Sequence, residues 1–428
     1  MTADFRHFYQ KSWAERVAIV AEQTQLSAAE QALFKKYYLP QHHDIIENYL
    51  TDYPLPMGLA VNFVIDGQAH IVPMVTEEPS VIAAASNGAK IVKRAGGFRT
   101  TLKRREMIGQ IVLEQLPDPQ QTAALIESHA VRLLEVADAA HPSLKKRGGG
   151  ARKLRTRILG AGYLSVDLFV DVQAAMGANM LNSMLEAVAK SIGVLTKTAP
   201  LMSILSNYAT ASLVKAECDI PVGLLQAGRY SGQLVAQKIA AASQVAQLDP
   251  YRATTHNKGI MNGIDAVAVA TGNDWRALES GAHAYAVQAG QYRGMSCWTT
   301  DGQTLYGSLE LPLPVGIVGG SIKINELAQL NQRLLGITSA RDLERIMVAT
   351  GLAQNLAAVR ALVTTGIQQG HMHLQLKSLA LAAGATPEEV PRLLQQLEQA
   401  PHQDLATTQR LIATLRRTGS TKKEETDD

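Results

Sequence analysis

The chain has 428 residues, too many for one compact core, so two or three domains are expected. A hydrophobic fraction of 46%, a charged fraction of 18% and a formal net charge of +3 argue against a general nucleic-acid or membrane surface. Two cysteines, Cys218 and Cys297, argue against a disulfide framework and fit a reducing compartment, so a cytoplasmic location is expected.

Residues 1–11 hold no apolar core of the kind a signal peptide needs, and no run of about 18 apolar residues reads as a membrane span. Ser27-Ala28-Ala29-Glu30 is a capping box that opens a short helix. Asp66-Gly67 is a hairpin turn between strand-like runs at 59–65 and 69–75, and an alanine-rich helix follows over 81–92. A second unit begins near Met107. It reads as a strand (108–116), a break (117–120) and a helix over 122–137 with Ile126, Ala130, Leu133, Leu134 and Ala137 on one face. Strands at 153–159 and 163–172 flank Gly160-Ala161-Gly162, and a helix over 176–193 and an alternating run at 212–217 complete the unit. This βαββαβ order is that of a ferredoxin-like unit.

The chain then returns to the first unit. A helix is expected over 224–248, a strand over 263–271, and a hairpin at Asp301-Gly302 before a strand at 305–311. Helices over 340–351 and 353–365 are separated by glycine. Gly384 stops a helix, and Thr386-Pro387-Glu388-Glu389 starts the first of two amphipathic helices, 387–399 and 405–416. The charged segment 419–428 is expected to be disordered. The fold class is α+β: a large mixed α/β domain, an inserted βαββαβ unit and C-terminal helices.

Four segments could carry chemistry. One is Thr255-His256-Asn257-Lys258-Gly259-Ile260-Met261-Asn262-Gly263, whose lysine precedes Asp274, in Gly272-Asn273-Asp274-Trp275-Arg276, by sixteen residues. The others are Thr76-Glu77-Glu78-Pro79-Ser80 and Gly370-His371-Met372. An ammonium can stabilise an oxyanion, a neutral carboxyl can give a proton, and a histidine titrates near neutrality. Taken singly, the four also read as a solvated lysine, an Asx turn, a carboxylate at a helix start and a surface histidine. Glycines beside Lys258 allow close backbone approach to a ligand. His256 and His283 read as polar loop and helix residues, and both cysteines as small buried groups. Asp171-Val172-Gln173-Ala174-Ala175-Met176-Gly177-Ala178-Asn179 ends a strand and opens a helix, a place that favours phosphate. It is not a GxGxxG segment, so no Rossmann fold follows.

In this order the four segments resemble class II 3-hydroxy-3-methylglutaryl-CoA (HMG-CoA) reductases, over about Glu47 to His371. The resemblance implies a four-electron reduction of (S)-HMG-CoA to (R)-mevalonate and CoA by two NADPH, with Glu78, Lys258, Asp274 and His371 as the catalytic set and no metal. It selects Glu78 over Glu77 and His371 over His373. It gives Ser80, Arg252 and Asn262 to the substrate, and Glu47 and Asn48 to the CoA site, where Tyr49 and Thr51 depart from the family's valine and glycine. It gives His141, Lys145, Lys146, Arg147, Met176, Gly177, Asn179 and Asn207 to the cofactor. Family members that prefer NADH have an aspartate where this chain has His141. A carboxylate there would repel a 2′-phosphate, so NADPH is expected. Ala174 replaces a usual acid. The implied domains are 1–106 with 218–375 for HMG-CoA, 107–217 for the nicotinamide cofactor, a flap at 376–418 that closes the site, and a tail at 419–428. A homodimer or larger homo-oligomer with interfacial sites follows, without nucleic acid or membrane. Two other readings remain open: NAD-dependent catabolic oxidation of mevalonate, and a non-catalytic CoA- or nucleotide-binding homologue.

Overall fold

The structure, a computed structural model, describes residues 5–364, 366 and 376–424, with the backbone alone at 321 and 418–424. It divides into two compact units, Met1–Pro56 and Met57–Asp428. In the first, α1 (Trp13–Thr24), α2 (Ala28–Lys36) and the short α3 (Pro40–His43) follow one another. Ser12 with Glu15 and Ser27 with Glu30 form capping boxes that open α1 and α2. The Tyr49 ring is buried, and its hydroxyl donates to Asp52 at 2.7 Å.

The second unit opens with the hairpin β1 (Met57–Ile65) and β2 (Gln68–Val75), turned by Asp66 and Gly67 at φ 49° and 81°. Helix α4 (Ser80–Arg94) and β3 (Arg99–Leu102) follow. The chain then enters a separate sheet. Its elements are β4 (Met107–Leu113), α5 (Pro119–Ser128), α6 (Ala130–Ala140), α7 (Pro142–Lys146), β5 (Gly150–Gly160), β6 (Tyr163–Asp171), α8 (Ala178–Thr196) and β7 (Met202–Ser206). The strand order is β5-β6-β4-β7, antiparallel throughout. Alternate residues Leu164, Val166, Leu168 and Val170 of β6 join Leu181, Met184, Leu185 and Val188 of α8 in one core. This is the expected ferredoxin-like order, with one correction. The fourth strand is β7, a five-residue edge with exposed apolar residues, which gives no clean alternation. The alternating run at 212–217 lies instead in β8 (Leu213–Pro221), which pairs with β3. The return to the sheet that holds β3 therefore lies near 212 and not at 218. The two crossings are held side by side, with the Glu106 amide donating to the Ala211 carbonyl at 2.9 Å.

Beyond β8 come α9 (Gly232–Leu248), α10 (Pro250–Ala270), α11 (Trp275–Tyr285), the two-residue strands β9 (Val287–Gln288) and β10 (Gln291–Tyr292), β11 (Ser296–Thr300) and β12 (Thr304–Pro312). Strands β11-β12-β8-β3 form the second antiparallel sheet. Helices α12 (Glu326–Leu335) and α13 (Ala340–Val363) complete the core. The expected strand at 263–271 is the second half of α10, and the expected pair of helices at 340–365 is the single helix α13. Both errors have one cause: a helix buried on nearly all sides loses its periodicity, and its glycines serve packing. A Cβ on Gly351 would meet Ile264 Cδ1 at 2.9 Å, one on Gly263 would meet Gln354 Cβ at 3.1 Å, and one on Gly88 would collide with the Ala353 carbonyl. By length and composition α13 could cross a membrane, but 72% of its most apolar window is buried in this core.

Helix α9 starts at Gly232, behind a turn at 222–225, and not at 224. At the C-terminus, Val390–Gln399 and Leu405–Glu424 are helical, and Leu393, Leu397 and Ile412 share a small core with Leu376. Helical backbone runs to Glu424, into the segment expected to be disordered, and 425–428 lie outside the described residues. Gly384 takes φ 89° at the helix stop, and Arg416 pairs with Glu389 at 2.8 Å.

Gly88→Ala should cost about 1–3 kcal/mol in denaturant unfolding, because α4 must lift off α13. Gly259→Ala, whose methyl would meet nothing within 4 Å, should leave stability unchanged or raise it by up to about 1 kcal/mol.

Candidate active site

A cavity of about 670 Å³ opens where α4, α10 and α13 meet. Ser80, Ala83, Ala84 and Asn87 line it from α4, and Arg252, Thr255, Gly259 and Asn262 from α10. Both sets recur at spacings of three and four, the signature of one helix face. The alanines and Gly259 keep two walls free of bulk. Lys258 and Glu78 stand at the same cavity. The glycine-bearing motif at 255–263 is thus the middle of a helix, and its glycines divide the work. Gly259 faces the cavity, and Gly263 faces α13.

Lys258 Nζ lies 3.4 Å from Glu78 Oε2, and Ser80 Oγ donates to Glu78 Oε1 at 2.6 Å. The lysine side chain is 63% exposed and that of Glu78 39%, so the pair faces open volume and not a packed interior. Arg252 is half-buried, and burial lowers its pKa from the ordinary value. It has no ion-pair partner among the described residues. A desolvated guanidinium of this kind calls for a carboxylate from a ligand. The structure therefore brings together Glu78, Ser80, Arg252, Lys258 and Asn262, five residues from two distant stretches of sequence.

The cavity floor holds residues that sequence reasoning missed or misread. His256 is buried, not in a polar loop. Its Nε2 lies 2.6 Å from Ser296 Oγ, and burial pushes it down to about 4, so the ring is neutral. Gln354 and Asn355 reach the same floor from α13. Asn355 Oδ1 accepts from Ser296 Oγ at 2.9 Å and from Trp298 Nε1 at 2.7 Å, whereas buried Gln354 Oε1 finds no donor among the described residues. Two adjacent amides inside an otherwise apolar helix are the signal that could have flagged them. His283 is a helix residue as expected, 2.6 Å from Glu279. Cys218 is buried and Cys297 is exposed, which corrects the expectation for the latter.

The residues assigned to a nicotinamide cofactor gather elsewhere, around the start of α8. Gly177, at φ 91°, caps this 19-residue helix without a side chain, so no side-chain oxygen competes for its first amides. A Cβ on Gly177 would strike Val172, and one on Gly149 would meet the Asp171 carbonyl at 2.6 Å. Gly148-Gly149-Gly150 therefore lays the basic segment against the turn that carries Met176 and Asn179. Lys145 is tied to Asp138 at 2.8 Å, while Lys146 and Arg147 are exposed and pair with no carboxylate among the described residues. His141 stands between α6 and α7, with Nδ1 3.2 Å from Ser143 Oγ. Asn207 is exposed in the turn after β7, and its carbonyl abuts Gly281 of α11.

Asp274 is set apart from this cavity within the chain. Asp274 caps α11, accepting the Arg276 and Ala277 amides at 3.1 Å, and does not line the cavity. The twelve residues from Lys258 to Ala270 rise about 18 Å along α10, so the lysine and Asp274 of one chain are held apart by a rigid helix. The neighbour of Asp274, Asn273, is linked toward the turn before α8: Asn273 exchanges hydrogen bonds with Gly316 at 2.8 and 3.1 Å, and a Cβ on Gly316 would meet the Met176 amide at 2.6 Å. His371 lies outside the described residues. Glu47 and Asn48 belong to the N-terminal unit, both exposed, with Asn48 at φ 58°. There the departures are absorbed locally, since the Tyr49 ring is buried and Thr51 Oγ1 donates to the Phe34 carbonyl at 2.9 Å.

Comparison with known proteins bears on the same features. The family described as hydroxymethylglutaryl-coenzyme A reductase matches residues 12–376. The 3-hydroxy-3-methylglutaryl-coenzyme A reductase of Archaeoglobus fulgidus is 40% identical over 401 residues, 92% of this chain and 91% of that one. A probable reductase of the same name from Borreliella burgdorferi is 35% identical over 337 residues, 78% of this chain and 77% of that one. Among solved structures, the class II enzyme of Streptococcus pneumoniae bound to NADPH in open conformations is 50% identical, with a TM-score of 0.75 over 95% of this chain and 100% of that one. A family match spanning both the helical cavity and the inserted sheet, with a relative 40% identical over 92% of the chain, means that this chain belongs to the hydroxymethylglutaryl-coenzyme A reductase family.

Proposed function

We propose that the cavity between α4, α10 and α13 is the acyl site of an HMG-CoA reductase that converts (S)-HMG-CoA to (R)-mevalonate and CoA in isoprenoid biosynthesis. One observation carries this reading. Lys258 sits 3.4 Å from Glu78 in a cavity whose half-buried Arg252 lacks a carboxylate partner among the described residues. Arg252 and Asn262 would hold the free carboxylate of the acyl group, which turns the thioester carbonyl toward Lys258. Asp171 to Asn179, with Lys146 and Arg147, fit a phosphate-bearing dinucleotide: uncapped helix amides, glycines at close approach and two cations that pair with no carboxylate among the described residues. Bound there, NADPH supplies the hydride for each of two reductions. His141, in place of an acid, leaves room for a 2′-phosphate. These features favour NADPH over NADH and the biosynthetic over the catabolic direction.

The chain's own groups then act in sequence. Lys258 stabilises the oxyanion that forms on the thioester carbon. His371 would protonate the departing CoA sulfur as the hemithioacetal collapses. Glu78, held by Ser80, gives the proton to the aldehyde oxygen in the second reduction, and Lys258 keeps that oxygen polarised. We assign 1–106 with 218–375 to HMG-CoA, moving the return to near 212, assign the inserted sheet to the cofactor, and place Glu47 and Asn48 at CoA. The C-terminal helices act as a flap that excludes water.

Asp274 would join this network from a second copy, because within one chain it caps α11 beyond the far end of α10 and does not line the cavity. The exposed apolar row Met57, Leu59 and Val61 on β1, with Ile71 on β2, is a surface that such a copy would cover. The working unit in this reading is a homodimer with shared sites, and two free cysteines favour a cytoplasmic location.

Oxidation of NADPH at 340 nm, at about two per CoA released, tests the reaction, and no turnover with either NADPH or NADH would return the chain to a binding role. Lys258→Ala should lower kcat by about 10²–10³-fold, with HMG-CoA affinity by calorimetry within a few-fold. Arg252→Lys should raise KM for HMG-CoA by about 10- to 100-fold. His141→Asp should lower the NADPH-to-NADH ratio of kcat/KM about tenfold. Lys258→Ala and Asp274→Ala chains, each inactive alone, should regain about a quarter of wild-type activity on mixing, since half the dimers are mixed and each holds one complete site. No recovery would place Asp274 outside the shared site.

A further inference from the structure

Arg105 stands two residues before β4, where the chain enters the inserted sheet. Its side chain is 5% exposed, and its Nε lies 2.9 Å from the Glu344 carboxylate on the first turns of α13, itself 1% exposed. The same guanidinium donates to the carbonyls of Gln173, Ala175 (at 3.1 Å) and Val315. The segments it grips also touch one another: the Ile317 amide donates to the Ala174 carbonyl at 2.9 Å, and Ala175 bridges Val318. One buried cation thus joins three pieces of chain, namely the cofactor turn, the loop after β12 that holds Asn273, and the N-terminal end of α13.

The chemistry requires arginine. Gln173 and Ala175 lie in irregular backbone, where a carbonyl has no ladder partner and needs a donor. A guanidinium offers five N–H groups in a fixed plane, enough for three carbonyls and a carboxylate at once, whereas an ammonium has three donors and no plane. The surrounding charges are Arg341 and Arg345 on α13 and Asp171 at the end of β6. Burial pushes Glu344 up to about 7, against the pull of Arg105, Arg341 and Arg345, and lowers Arg105 from its ordinary value.

We propose that Arg105 is a positioning residue for the dinucleotide. Clamped by Glu344, it fixes the turn at 173–177 so that the N-terminus of α8 keeps the orientation that receives the cofactor phosphates. This rests on the assignment of that turn to NADPH. The charged form of Glu344 is the one that clamps. As pH falls through about 7 the carboxylate is protonated, the clamp loosens, and NADPH binding weakens.

Calorimetric titration of the intact protein with NADPH, together with steady-state kinetics, tests the proposal. Arg105→Lys should raise the Kd and KM for NADPH about tenfold, with KM for HMG-CoA within twofold. Glu344→Gln, which keeps the side-chain volume, should do the same and also abolish the part of the wild-type rise in NADPH Kd that occurs between about pH 8 and pH 6. It supplies an independent readout should Arg105→Lys not fold. An unchanged NADPH Kd in the folded variants, or equal rises in both KM values, overturns the proposal. Asn179→Ala separates the two layers. If it weakens NADPH binding and the Arg105 and Glu344 variants do not, only the positioning role falls. If it too leaves binding unchanged, the cofactor assignment falls with it.

Discussion

Backbone contact among three helices sets the rest of the structure. Helix α13 crosses α4 at Gly88 and α10 at Gly263 and Gly351, at distances that no larger residue tolerates without displacement. Dispersion between close-packed backbones and the apolar burial around them hold α4, α10 and α13 as one block. The cavity exists because that block diverges beyond these contacts, and because alanines and Gly259 face the opening. Glu78 and Lys258, 180 residues apart in sequence, meet because their helices share this block.

Much of the fold was legible where local chemistry decides. The capping box at Ser27, the Asp66-Gly67 turn and the stop at Gly384 all stand as read, whereas β6, whose apolar residues alternate with mostly polar ones in sequence, is buried on both faces. The errors fall where tertiary packing decides. Residues 263–271 look like a strand because α10 is buried there on nearly every side, and Gly351 looks like a break because its role is to admit Ile260 and Ile264. Strand β7 was missed because a short edge strand shows apolar residues to solvent and carries little pattern.

The candidate site divides in the same way. Residue types matched to a family motif could be named from sequence: Glu78, Ser80, Arg252, Lys258 and Asn262 do gather at one cavity. What sequence could not supply was the support beneath them. His256 was dismissed as a polar loop residue, yet it is buried and bonded to Ser296 in the cavity floor, with Asn355 bound to the same serine. Arg105 drew no notice, since its importance lies wholly in the four groups it meets across long sequence separations. The separation of Asp274 from Lys258 needed the length of α10, which a strand reading of 263–271 had concealed.

Helix α13 has a final consequence. Its first turns hold Glu344 against Arg105, which grips the turn at 173–175, and its C-terminal part, from Gln354 to Leu362, lines the cavity shared with α4 and α10. With 24 residues and no break, it spans about 36 Å as a single rod. A tilt or shift imposed at one end of such a rod would be delivered to the other end. Linkage then demands symmetry: whatever factor the dinucleotide adds to the affinity for the acyl thioester, the thioester adds to that for the dinucleotide. A hinge at Gly351 would uncouple the two ends, and the helix runs unbroken through that residue.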